Sequence, residues 1–210
     1  MKNLINLFLV YIGLTFISSC KEEFPSSLKT DGNPPGQISD ILIQNLNGGS
    51  LIRYKLPSDE DLLYVKAEYE YPKGTKREVR SSLYVDSLKI EGIGSTQPLD
   101  ILIYTVSRSE ISSEPIKVTI NPLTPPIYLI KESLDVMPDF GGFSIKYNNE
   151  SKQDIVIEIL KKIDNNWTNL ESYYTNSKTG LFAVRGQDAE LSDYAFYVRD
   201  KWKNKSRTNK

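Results

Sequence analysis

The sequence predicts an all-β protein of two tandem β-sandwiches, the second lacking its last strand. Three observations predict it. Short runs that alternate apolar and polar residues recur along the chain, separated by Gly, Pro and Asn turns, as half-buried strands do. The stretch Pro122-Leu123-Thr124-Pro125-Pro126 divides these runs into two groups with a stiff, extended connection. Landmarks of the first group return in the second at a constant offset. Gly48-Gly49-Ser50-Leu51-Ile52-Arg53-Tyr54 is echoed by Gly141-Gly142-Phe143-Ser144-Ile145-Lys146-Tyr147, and Tyr104 by Tyr197, each 93 residues on. A fixed offset between distant landmarks marks a tandem duplication.

The elements follow in chain order. Residues 1–19 read as a signal peptide: Met1-Lys2-Asn3, a mostly apolar run from Leu4 to Ile17, then Ser18 and Ser19. The run is short of the ~20 residues that a membrane span needs. Cys20, the only cysteine, stands where the cut should fall. Ile17-Ser18-Ser19-Cys20 resembles a bacterial lipobox, which implies that Cys20 is acylated and becomes the mature N-terminus. Acyl chains contribute about 0.8 kcal/mol per buried methylene, so several of them anchor stably. Residues 20–35, rich in Ser, Pro, Gly and Asn, read as the lipidated cysteine and its tether.

The first sandwich is expected over 36–122. Its strands are expected at 38–46, 50–56, 62–71, 76–82, 84–91, 99–107 and 115–121. The clearest is 62–71, where Leu63, Val65, Ala67, Tyr69 and Tyr71 alternate with Tyr64, Lys66, Glu68 and Glu70. Seven such strands fit one sandwich. Residues 123–126 form the proline-rich linker. The second sandwich is expected over 127–210, with strands at 128–137, 143–148, 154–162, 167–174, 180–185 and 192–201. Its polar, basic tail from Trp202 to Lys210 is no replacement for a seventh strand, so one sheet keeps an unpaired edge. Both glycine pairs sit between strands and read as hairpin turns rather than as ligand loops.

Composition narrows the chemistry. Lys plus Arg number 26 against 27 Asp plus Glu, so no global basic field draws the chain to nucleic acid. The absence of histidine removes the commonest general base and transition-metal ligand. One cysteine excludes an intrachain disulfide and a Cys-rich metal site. The acidic loop Ser58-Asp59-Glu60-Asp61 lacks the spacing and glycine bend of a calcium loop. The carboxylates Asp59, Asp61, Glu68, Glu70 and Glu78 form no recognisable glycosidase pair. No catalytic residue, metal or cofactor is expected.

Aromatics are the better candidates, because sugar rings stack on exposed aromatic faces while polar groups read their hydroxyls. Tyr54, Tyr69, Tyr71 and Tyr147 follow inward positions and are assigned to packing. Tyr64 falls on the polar face of its strand. Trp167, Tyr173, Tyr174 and Trp202 lie near strand ends or in polar surroundings. These five are the candidate ligand-binding residues; covering a sheet edge or the module junction is the competing role. The triplets at Asn149, Asn166 and Asn204, and Asp86-Ser87-Leu88, match glycosylation signals too weakly to use.

The two units resemble fibronectin type III-like, that is immunoglobulin-like, modules. More narrowly, residues 35–199 resemble a family of Bacteroidota outer-membrane lipoproteins of unassigned activity. The resemblance rests on 48–54, 61–69, 76–82, 122–126, Asp139-Phe140-Gly141-Gly142 and 197–202. Members carry two such modules, usually followed by a galactose-binding-like one, and many are encoded near polysaccharide-utilisation machinery. Lys21-Glu22-Glu23 resembles the lysine-plus-acids signal for display on the outer face of the outer membrane. Two departures stand out. Ser107-Arg108-Ser109-Glu110-Ile111 replaces an Asp-Arg-Ser-Gly-Asn-like turn, and the chain ends where a last strand and third module follow in the family, which is compatible with a shortened member. The resemblance implies a non-enzymatic, outward-facing lipoprotein that supports glycan binding or presentation. Its expected contacts are the membrane through lipid, polysaccharide and outer-membrane transporter components. The alternative is a structural spacer or protein-interaction module.

Overall fold

In a computed structural model, residues 32–187 and 191–208 are described. The signal peptide, Cys20 and Lys21-Glu22-Glu23 lie outside the described residues.

The first module holds seven strands: β1 (Ser39–Leu46), β2 (Gly49–Lys55), β3 (Leu62–Glu70), β4 (Lys76–Ser82), β5 (Ser87–Ile90), β6 (Leu99–Ser107) and β7 (Ile116–Ile120). They form two antiparallel sheets, β1-β2-β5 and β4-β3-β6-β7. The period-two pattern decides which face is inside. Val65, Ala67 and Tyr69 of β3 are buried, as are Ile52 and Tyr54 of β2, Leu88 and Ile90 of β5, and Ile101 and Ile103 of β6. Burying each large aliphatic side chain contributes roughly 1.5–3 kcal/mol.

The second module repeats this plan. It has α1 (Pro126–Glu132), β8 (Asp135–Asp139), β9 (Gly142–Asn148), β10 (Ile155–Ile163), β11 (Asn166–Thr175), β12 (Thr179–Arg185) and β13 (Tyr194–Asp200). The sheets are β12-β9-β8 and β11-β10-β13, closing over Ile145, Tyr147, Ile157, Ile159, Val184 and Val198. The strand order of both modules is that of a fibronectin type III-like sandwich. Six strands stand where the first module has seven, because β13 has no counterpart of β7 beside it among the described residues.

The 93-residue offset extends to individual hydrogen bonds. Ser113 donates its backbone N–H to Thr105 O at 2.9 Å, and Ser206 does the same to Val198 O at 2.8 Å. Each serine hydroxyl also accepts the N–H of that partner, at 3.1 and 2.9 Å. The second glycine of each pair is fixed by close approach: a Cβ on Gly49 would fall 2.0 Å from Ile90 O, and one on Gly142 2.0 Å from Val184 O.

Two expected strands are revised. Residues 126–132 are helical, not the start of a strand at 128. Pro126 takes the first helical turn, where its missing N–H costs nothing, and Ile127 and Ile130 are buried at helical spacing. The strand expected from 84 starts at Ser87, leaving Tyr84 and Val85 exposed in a turn. The expected linker is tied to the first module: Leu123 donates to Leu46 O and accepts from Gly48 N, and Asn47 Nδ2 donates to Thr124 O.

Candidate functional site: the outer face of the second module

Strand β10 is the middle of its sheet, so both its faces are covered. Ile155, Ile157 and Ile159 point into the core, and Val156 and Glu158 are buried on the outer face. Strand β11 supplies the outer residues beside them. Its register places Tyr174 opposite Val156 and Ser172 opposite Glu158. A register shift at Ile159/Leu160 then keeps Asn169 opposite Leu160 and Trp167 opposite Lys162, while Leu170 packs against the core. On the other side, β13 places Arg199 opposite Val156 and Tyr197 opposite Glu158.

Glu158 organises this face. Its side chain is only 5% exposed and pairs with Arg199 Nε at 2.6 Å. The amide Nδ2 of Asn169 donates to its other oxygen at 2.7 Å, and the Ser172 hydroxyl donates a short bond to that same oxygen. Burial by itself would raise the Glu158 carboxyl, but the bonds from Ser172, Arg199 and Asn169 outweigh it and hold the group below the usual glutamate value. The Arg199 guanidinium is raised in turn, chiefly by its hydrogen bond to Glu158. Arg199 also reaches Tyr174: its carbon sits 5.6 Å from the ring centroid and NH2 donates to the hydroxyl at 3.3 Å. Tyr174 is thereby steadied while remaining 68% exposed. It borders a cleft of about 440 Å³ lined also by Asp154, Asn176, Arg199 and Lys201.

The first module carries a different set at the matching lattice position. Lys66, opposite Tyr104, stands where Glu158 stands opposite Tyr197. Its Nζ lies 4.8 Å from the Tyr104 ring centroid and 2.7 Å from Glu68.

The five sequence-selected aromatics do not share one surface. Trp167 and Tyr174 lie on the outer face of β11. Tyr173 faces the opposite way, its ring stacked on Phe182 with centroids 3.9 Å apart. Trp202 is half-buried at the joint between modules. Its ring covers Gly92, where a Cβ would come within 2.5 Å of it, and Lys201 Nζ lies 4.6 Å from its centroid. Tyr64 belongs to the first module, with Arg80 over its ring at 4.8 Å and its hydroxyl donating to Glu110 at 2.7 Å. Burial, then Glu110, raises its hydroxyl above the usual tyrosine value.

Sequence reasoning missed Glu158, Arg199, Asn169 and Asp154. One signal was present: a single acid inside the apolar run Ile155-Val156-Ile157-Glu158-Ile159 needs a buried partner. Among the described residues, no group of three or more Cys, Asp or Glu is placed to hold a metal ion.

Strand order and repeat define a class: a tandem pair of fibronectin type III-like modules. Residues 35–122 match the family described as Domain of unknown function (DUF4959), and residues 123–210 match Domain of unknown function (DUF5126). Each module is thus similar to one of these families. Among solved structures, a SusE-like protein is 28% identical over 40% of this chain, with a TM-score of 0.36; the chain covers 29% of that protein. A two-domain fibronectin type III segment of chicken tenascin is 10% identical, covering 83% of this chain and 97% of that one, with a TM-score of 0.39. A chitinase from Bacillus thuringiensis is 16% identical, covering 80% of this chain and 29% of that one, with a TM-score of 0.38. The search of curated proteins finds no match.

Proposed function

We propose that the protein is a non-enzymatic lipoprotein, anchored through Cys20 and facing the cell exterior, that binds or presents glycans in a polysaccharide-uptake system. The observation that carries this reading is Tyr174: an exposed ring, held from one side by Arg199, beside a cleft with the carboxylate of Asp154 and the amide of Asn176. Apolar ring faces with convergent acceptors and donors suit a sugar, whose ring stacks while its hydroxyls pair. The lipobox-like Ile17-Ser18-Ser19-Cys20 and the following Lys21-Glu22-Glu23 support the location.

Affinity gel electrophoresis of residues 21–210 against a polysaccharide panel tests it. Retardation on at least one polymer, weakened by Tyr174→Ala, is the expected result. No retardation on any polymer would sink it.

The spacer or protein-interaction reading has its own support. Residues 203–206 cover the outer edge of β13 at Val198–Asp200, but among the described residues no strand pairs with that edge at Tyr194–Phe196, whereas β6 carries β7 along Leu99–Ile103. An uncovered strand edge can accept a strand from a partner.

A further inference from the structure

The turn that follows β13 is built like the turn that follows β6. Asp200 Oδ1 accepts the backbone N–H of Trp202 and of Asn204, both at 2.9 Å, as Ser107 Oγ accepts those of Ser109 and Ile111 at 3.2 and 3.1 Å. Lys203 (φ 69°) and Glu110 (φ 60°) take the same left-handed place. The side chains that the two turns present differ. Trp202 and Asn204 close the joint: the indole covers Gly92, Asn204 Nδ2 donates to Gly92 O at 3.1 Å, and a Cβ on Gly94 would fall 2.5 Å from Asn204 Oδ1. The surface they close over is repeated as well. Val184 stands against Gly142 as Ile90 stands against Gly49, so along these strands the offset is 94. Gln187 then donates its backbone N–H to Gly141 O at 3.0 Å, as Ile93 does to Gly48 O at 2.9 Å. Gly186 holds the place of Gly92 with the same left-handed backbone, φ +73° against +75°. Yet no described residue comes within 4 Å of a Cβ built on Gly186 or on Gly141. A cradle that is filled at the end of the first module is open at the end of the second.

We propose that the Gly186 end of the second module docks a partner protein through a turn of this same build, one that presents an aromatic ring and, two residues on, a carboxamide. This docking is independent of glycan binding and uses a different face from the open edge of β13. The joint shows, on the same scaffold, what such a glycine accepts. A second copy of the chain is not the occupant. Its Trp202 is engaged on its own Gly92, and its other turn offers Ser109 and Ile111 in place of the ring and the amide. The surroundings of the open cradle also suit an interface. Phe140 stands where the first module has Asn47, whose Nδ2 donates to Thr124 O across the filled joint. Phe140 is 91% exposed, and Leu191, in the loop from Gln187 to β13, is fully exposed. Exposed apolar side chains gathered at one end of a module mark an interaction surface. The Phe140 turn is held in place: Arg185 NH1 donates to the Phe140 carbonyl at 3.0 Å, and Arg185 NH2 pairs with Asp139 at 3.0 Å. Access is open too. The chain enters the first module at that module's other end, where Gly36 N–H donates to Asp59 at 2.8 Å, two modules away from Gly186.

Amide NMR of the isotope-labelled, otherwise unaltered chain tests the proposal, because it detects weak docking and locates it. The probe is an unlabelled chain carrying Ser109→Trp, Ile111→Asn and Gly186→Ala. Its first turn then presents the ring and the carboxamide, and its own cradle is filled. Within one chain the linker holds turn and cradle together at an effective concentration of roughly millimolar, so the titration between chains runs to about 1 mM. The expected result is a saturable shift of the Gly141, Gly186 and Gln187 amides. Binding should weaken at least tenfold when the labelled chain carries Gly186→Ala, and severalfold with Phe140→Ser. A cyclised peptide of residues 198–206, which holds the native Trp202 turn, is the second probe and should move the same amides. It decides the matter if melting curves show the substituted probe chain to be unfolded. No shift at Gly186 from a folded probe, or equal binding by the Gly186→Ala chain, would overturn the proposal. Shifts centred on Gly92 would overturn it as well, since the probe would then be opening the joint. The same Gly186 shifts from unlabelled, unaltered chain would make a second copy the occupant and overturn the partner. No probe is a sugar, so each of these failures leaves glycan binding to be decided by gel retardation alone.

Discussion

Trp202 lies flat against Gly92, so the joint between the modules is built on a residue with no side chain. A Cβ at Gly92 would stand 2.5 Å from the Trp202 ring, and the backbone there has φ +75°. The Gly92 carbonyl also accepts from Asn204 Nδ2 and from Arg77 NH1, both at 3.1 Å. Residues 110 positions apart in sequence thus set one contact.

This arrangement contains its own control. Gly186 has nearly the same backbone, φ +73°, with nothing within 4 Å of a Cβ built on it. Gly186→Ala should cost about 1 kcal/mol, the penalty of a left-handed alanine. Gly92→Ala should cost that and more, roughly 2–4 kcal/mol, because the indole must move. Urea denaturation measures both. Tryptophan emission should shift to the red for Gly92→Ala alone. Equal costs would mean that the indole yields without penalty.

Tyr173 and Tyr174 are neighbours in sequence and opposites in the sheet. Tyr173 is stacked on Phe182 and 5.9 Å from the Tyr147 ring, centroid to centroid. Tyr173→Ala should cost about 3 kcal/mol through the cavity it leaves. Tyr174, 68% exposed, should cost under about 0.5 kcal/mol as alanine. Chemical denaturation of the two variants side by side checks the contrast, and reversed costs would place the wrong tyrosine in the core.

Much of the fold is legible from period two alone. Val65, Ala67 and Tyr69 alternate in sequence and are buried in the structure. The offset of 93 is visible because glycines needed for close approach recur with their strands. Helix α1 was hidden by an apolar run, Ile127 to Ile130, too short for its periodicity to be read, and Pro126 was the better clue. The site was harder. The register shift at Ile159/Leu160 changes which residues of β11 share a face, and a shift is set by pairing rather than by composition. For Trp202 the sequence leaves ligand contact and cover of the module junction side by side, because Gly92, which its ring covers, lies in the other module.

The Glu158 network predicts a specific acid sensitivity. The carboxyl is lower in the folded protein than in the unfolded chain, so it stabilises the fold above the ordinary glutamate value of about 4.3. That contribution is lost as pH falls through the folded value. Glu158→Gln removes the charge and leaves Arg199 without its carboxylate, so at neutral pH it should cost about 2 kcal/mol. The gap between parent and variant should then close as pH drops below about 4. Thermal melts between neutral and acidic pH measure it. A gap that stays constant would show that the network owes nothing to the charge.

The anchor gives the last prediction. The apolar run from Leu4 to Ile17 is shorter than a membrane span and ends in two serines before Cys20. If Cys20 carries the lipid, Cys20→Ala should abolish incorporation of labelled palmitate and release the protein into the soluble fraction. Replacing Lys21-Glu22-Glu23 by alanines should keep the label, because the thioether forms on Cys20 itself, yet protect the protein from protease added to whole cells. The two variants separate attachment from outward display. Label retained in Cys20→Ala would rule out the thioether, and protease sensitivity unchanged in the triple variant would remove the outward signal from these residues.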